Sequence, residues 1–133
     1  MRNEVGLNIQ NGWIVWIHGP FPCGEWPDLR ILRDSIIHHL DIDELLLADG
    51  GYAGDNGNYT NTPTGRNNLT ELRKNKVRAR HETCNRRLKQ WAVLKQTFRH
   101  RLEKHGLCFR AVANITQASL ENGEPLFTVF YDE

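Results

Sequence analysis

The sequence predicts a single α/β domain. Three observations carry this reading: a hairpin signature near the N-terminus, a short leucine-rich strand at residues 45–48, and amphipathic stripes of helical period on both sides of that strand. A chain of 133 residues suits one ordinary domain, spanning 1–133, and 39% apolar with 25% charged residues is a globular composition. The longest apolar runs, residues 13–17 and 45–48, fall far short of the ~20 residues a membrane span needs. Residues 1–4 are polar and a strand-like run follows, so no secretory leader is expected. Cys23, Cys84 and Cys108 are odd in number and widely spaced, which points to reduced intracellular thiols rather than disulfides or a zinc site.

Residues 5–10 alternate in polarity and run into Asn11-Gly12, the strongest short hairpin signal. Residues 13–17, rich in Trp, Ile and Val, are the expected return strand. The segment GPFPCGEWPD, residues 19–28, combines three prolines with two glycines and reads as a structured loop. Asp28 is the expected N-cap of a helix whose apolar positions are Leu29, Leu32, Ile36, Ile37 and Leu40. An acidic turn, residues 41–44, precedes the strand at 45–48. Residues 50–68 form a long loop rich in Gly, Asn and Thr, with a short strand expected near 59–62. A short helix is expected to start at residues 68–71. One long helix is expected over 77–104, with Val77, Cys84, Leu88, Trp91, Ala92, Phe98 and Leu102 as its stripe and His105-Gly106 as its end. A second amphipathic helix carries Phe109, Val112, Ala113, Thr116 and Leu120 and closes at Asn122-Gly123. Residues 125–131 read as a tail or terminal strand. No internal repeat or linker is evident.

The net charge of +1 conceals an asymmetry. Residues 1–57 carry three basic and nine acidic residues, whereas residues 73–104 carry twelve basic and two acidic ones. The basic block suits a polyanion, nucleic acid first, or else a solvated helix face that offsets the acidic half. Two carboxylates stand out. Asp49 follows the apolar strand directly in LLLADGGYAG, where Gly50 and Gly51 leave room beside it for a metal or phosphate; a turn-forming role is the alternative. Glu82 lies in RARHETCNRRLK, with Arg78, Asn85, Arg86 and Lys89 one to two turns away on the same or adjacent faces. A carboxylate among cations fits a phosphodiester-cutting site, in which carboxylates hold metal ions and cations track phosphates; a salt-bridged surface is the alternative. His18, His38, His39 and His81 read as non-ligands, and Trp26 and Trp91 as anchors rather than base-stacking platforms.

Four blocks taken together resemble the DDE superfamily endonuclease domain of Harbinger-type transposases. They are GPFPCGEWPDLRILRDSII (19–37), LLLADGGYAG (45–54), RARHETCNRRLKQWAVLKQTFRH (78–100) and FRAVANITQASLENGEPLF (109–127). The resemblance implies an RNase H-like mixed sheet with flanking helices, and metal-dependent phosphodiester hydrolysis and strand transfer on DNA with Mg²⁺ or Mn²⁺. It places Asp49 and Glu82 as catalytic metal ligands, with Arg78, Arg86 and Lys89 as phosphate contacts. It also implies a nuclear location in a eukaryote and DNA or other transposase-derived chains as partners. The family's first catalytic Asp lies on a central strand upstream of the hairpin. No Asp precedes Asp28 here, so the domain is expected to lack that first strand and to be inactive alone. The competing expectation is a non-catalytic remnant that binds DNA or protein. Loss of a central strand leaves three arrangements open: the hairpin shifts onto the 45–48 strand, another chain supplies the strand, or the fold is weak.

Overall fold

The computed structural model describes residues 1–95 and 99–130. Strands β1 (Arg2–Leu7) and β2 (Ile14–Phe21) pair antiparallel, with Val5 opposite Ile17 and Glu4 opposite His18. Side-chain alternation gives this ribbon two chemically different faces. Val5, Leu7, Ile14 and Ile17 pack against the apolar core. On the other face Trp16 Nε1 donates to Glu4 Oε1 at 2.9 Å. The turn is wider than Asn11-Gly12 alone predicts, because Asn8 organises it. The Asn8 N–H donates to Trp13 O and its carbonyl accepts from Gly12 N, both at 2.9 Å. Gly12 takes a φ of 75°, which a side chain would resist. Trp13 therefore belongs to the turn rather than to the return strand.

The loop after β2 leads into α1 (Asp28–Asp34) and a 3₁₀ turn, Ile36–His39. Of the expected stripe Leu32 and Ile36 are buried and Leu29, Ile37 and Leu40 half-buried; Ile31, outside that stripe, is also buried, and the helix forms in two short pieces. Asp28 is not the N-cap. Pro27 holds that position, and Asp28 is the first helical residue, where a negative charge suits the helix dipole. Its Oδ1 lies 3.3 Å from Arg2 NH1.

The C-terminal half departs most from expectation. The short helix at residue 68 and the first part of the long one are a single helix, α2 (Leu69–Lys89). Asn68 caps it, accepting from Glu71 N at 2.9 Å. The expected helix over 77–104 does not run through. Helix α2 stops at Lys89, a single turn α3 (Ala92–Lys95) follows, and α4 (Leu102–Glu121) begins afresh. Cys84 and Leu88 are buried, but Trp91 and Leu102 are 43% and 39% exposed, so the apolar stripe does not continue through them. Phe98 of that stripe lies outside the described residues. His105-Gly106 falls inside α4 instead of ending a helix. A Cβ on Gly106 would stand 3.0 Å from Pro20 Cδ, so this glycine serves close packing of α4 on β2. Asn122 and Gly123 close α4 as expected, with Asn122 N donating to Ala118 O.

Cys84 and Leu88 of α2 form the main core with Phe109, Val112, Ala113 and Leu120 of α4 and Leu126 of the tail. The tail forms no strand in its described part, yet Leu126 and Val129 are buried; Tyr131 lies outside the described residues.

Strands β3 (Leu46–Leu47) and β4 (Thr60–Asn61) pair in parallel and make a second small sheet. Among the described residues the hairpin pairs only with itself and β3 only with β4. The hairpin has therefore not shifted onto the leucine-rich strand. Helix α2 reaches both sheets. His81 Nε2 donates to Val5 O at 2.7 Å, and Arg78 Nε donates to Ala48 O at 3.0 Å. The whole is a mixed α/β fold. No helix among the described residues is long and apolar enough to cross a membrane.

Candidate functional site

Strand β3 delivers Asp49 to a 3₁₀ turn, Gly50–Asp55. Asp49 is exposed and caps that turn, its Oδ1 accepting from Gly51 N at 2.8 Å. The turn-forming role and the strand-end position thus coexist in one residue. Gly51 is small for a local reason. A Cβ there would lie 2.9 Å from Asp28 Oδ2 and 3.0 Å from Asp49 Oδ1. The start of α1 and the end of β3 therefore bring two carboxylates to one point. Tyr52 lies just beyond. Burial, reinforced by Glu4, Asp28 and Asp49, pushes its hydroxyl pKa well up.

Arg78 ties this strand end to α2. Besides Ala48 O, its guanidinium donates to Glu71 Oε1 at 3.0 Å, to Asn75 Oδ1 at 2.8 Å and to Asn61 O at 3.4 Å. Its side chain is 13% exposed and that of Glu71 is 7% exposed. Burial alone would raise the Glu71 pKa. Arg78 and the Thr64 N–H overcome that effect and hold the carboxyl below its usual range. Arg78, expected from the sequence as a phosphate contact, directs its donors inward and acts as a strut.

One turn further along the same stripe stands Glu82. Its side chain is 72% exposed, and Oε2 lies 3.9 Å from Arg86 NH2. Such an exposed pair contributes little stability, which leaves both groups open to solvent ligands. Lys89 continues the stripe and is exposed. The structure thus sets Glu82, Arg86 and Lys89 on a solvent-facing ridge, and holds Asp49 near the base of that ridge through Arg78. Among the described residues no three His, Cys, Asp or Glu side chains gather closely enough to cage a metal ion.

Three further groups carry weight that their sequence positions did not advertise. Asp55 is almost fully buried, and its Oδ2 accepts from Tyr59 N (2.7 Å), Thr60 N (2.9 Å) and Thr60 Oγ1 (3.0 Å). Burial would raise its pKa, but these donors outweigh burial and lower it. The Asp55-Asn56-Gly57 run, a turn signal, is the clue that could have marked it. Glu4 is buried on β1, with Oε1 bonded to Trp16 and Oε2 without a protein partner. Nothing local distinguishes it in the sequence. Cys84 lies in the core, where burial pushes its thiol up to about 11, so it is packing rather than a nucleophile.

No family model matches the chain, and neither a curated protein nor a solved structure matches it significantly.

Proposed function

We propose that this chain is an RNase H-like domain of the DDE transposase type that holds the DNA backbone along the solvent face of α2 and does not cut it unaided. The observation that carries the reading is the tether of the Asp49 strand end to α2 by Arg78, one turn before the exposed Glu82–Arg86–Lys89 ridge. Helix α2 bonds to Val5 of β1 and to Ala48 just after β3, so one helix touches both small sheets, which do not pair with each other among the described residues.

A two-ion centre needs carboxylates that bridge and fix both ions ~3.5–4 Å apart. Asp49 and Glu82 do not supply this as they stand. One Asp49 oxygen serves Gly51 N, Glu82 faces Arg86, and no third ligand joins them among the described residues. The residues present therefore do not fit the two Mg²⁺ or Mn²⁺ ions that the resemblance implies. What remains is electrostatic. Cations on the ridge and in the segments after it displace counterions from a phosphate backbone.

Binding of a short labelled duplex by anisotropy across a salt series tests this. Affinity is expected to fall steeply with salt and to persist in excess chelator. The double variant Arg86→Ala/Lys89→Ala should flatten the log–log salt slope by about 2. Arg78→Ala, measured at a temperature where it is folded, should leave that slope unchanged. No nicking of supercoiled DNA is expected with Mg²⁺ or Mn²⁺. Metal-dependent nicking that vanishes in Asp49→Ala would overturn the non-cleaving reading, and duplex binding insensitive to salt would overturn the interface.

A further inference from the structure

Trp91 has no structural role that its position on the expected stripe would give it. Helix α2 ends at Lys89, and the indole that a continuous helix would bury is 43% exposed. Its backbone is nonetheless fixed. The Trp91 carbonyl accepts from Leu94 N at 2.9 Å and from Lys95 N at 3.0 Å, and so starts the α3 turn. The residue lines an open groove of about 380 Å³ between the end of α2, α3 and α4. Ala92 and Ile115, the latter 51% exposed, supply further apolar wall, and Gln90 and Ser119 add polar groups. Arg87, also on the wall, donates to Glu124 O and, at 3.1 Å, to Pro125 O, which braces the tail against α2. Glu124 is the one carboxylate among the described lining residues.

The groove adjoins the cationic ridge. Gln90 lies one turn after Arg86, and Trp91 one turn after Arg87, so the helix surface passes from ridge to groove without interruption. Residues 86–95 hold four cations, Arg86, Arg87, Lys89 and Lys95, and no carboxylate. We propose that this groove receives one unpaired base of a single DNA strand, stacked on Trp91 beside Ile115, while Arg86 and Lys89 hold the adjoining phosphates. The proposal rests on the reading of α2 as a phosphate-binding helix and names the form of DNA that the helix takes. In a duplex each base is paired and stacked on its neighbours, so its face is closed to a side chain. A single strand or a frayed end offers that face. A cavity of this volume is at the small end of ligand sites, which suits one flat ring. The cations favour a polyanion over an apolar peptide as occupant. Stacking uses the face that every base has, so little sequence preference is expected.

Anisotropy titrations of the full chain with a labelled single strand and a blunt duplex of the same sequence, at one salt concentration, test the site. Trp91→Ala should weaken single-strand binding about tenfold, Trp91→Phe should recover most of that loss, and both should leave duplex binding at the wild-type level. Circular dichroism establishes that the variants are folded. A single strand carrying 5-iododeoxyuridine gives a positional readout: irradiation of its complex with the unaltered chain should crosslink the peptide that contains Trp91, identified by mass spectrometry. Wild-type single-strand affinity in Trp91→Ala overturns the proposal, as do crosslinks confined to peptides without Trp91. An equal loss of single-strand and duplex binding in Trp91→Ala also overturns it, because the indole then serves the fold or the ridge. In each of these cases salt-sensitive duplex binding by the unaltered chain leaves the α2 interface standing, whereas binding of neither form would sink both readings.

Discussion

Replacing Arg78 with alanine is expected to lower the melting temperature by about 5–10 °C. The side chain is a junction. Its donors reach Ala48 O at the end of β3, Asn61 O at the end of β4 and the carboxylate of Glu71 on its own helix. Removing it strands Glu71 as a buried carboxylate, with Thr64 N and Oγ1 as its partners at 3.4 Å. It also loosens the two-residue strands β3 and β4 from α2, leaving the Lys74 Nζ bond to Asn61 Oδ1 at 3.1 Å, and strands so short have little pairing energy of their own. Arg78→Lys should recover only a fraction of the loss, since one ammonium cannot match the planar fork. Thermal unfolding followed by circular dichroism measures both variants. An unchanged melting point in Arg78→Ala would show that the junction contributes nothing.

Asp55→Ala is expected to destabilise the protein by about 3 kcal/mol, measured by urea unfolding. Three donors converge on one buried carboxylate oxygen, and alanine leaves two backbone N–H groups without their partner. The same residue predicts a pH response. Its folded pKa is lowered, so its contribution is fully present above the ordinary carboxylate value of about 4 and is lost as pH falls through the folded value. Glu71, also lowered, acts in the same direction. Glu4 acts in the opposite direction: burial raises its pKa, so its ionisation as pH rises costs stability. Wild-type stability should therefore decline below about pH 4, and Asp55→Ala should show a shallower acid decline. An identical acid limb in the variant would remove Asp55 from the account.

The contrast between Asp49 and Asp55 shows how far sequence reasoning reaches. Asp49 was legible because it ends an apolar run and two glycines follow, a local pattern that a strand end produces directly. Asp55 sits six residues on in a polar loop, and its burial comes from Tyr59 and Thr60 folding back over it. Glu82 and Arg86 were legible as helical neighbours from spacing alone. Arg78 belongs to the same stripe, but its inward turn depends on β3 and β4 arriving beside α2. The helix over 77–104 was misjudged for a related reason. Favourable composition continues past Lys89, and the break after it reflects α4 turning back to pack Phe109, Val112 and Ala113 on Cys84 and Leu88. Helix length is set by tertiary packing more than by propensity.

By itself, then, the sequence determined the hairpin, the burial of Leu32 and Ile36, the Asn68 start of α2, the Asn122-Gly123 end of α4 and the strand-end place of Asp49. Each rests on contacts within a few residues, where spacing and turn chemistry suffice. Only the tertiary structure decided that the two sheets stay separate, that Arg78 is a strut, that Gly106 is a packing contact, and that Asp28 and Asp49 meet at Gly51. Those outcomes join residues far apart in the chain, such as Arg78 and Ala48, and depend on packing energies that no local pattern records.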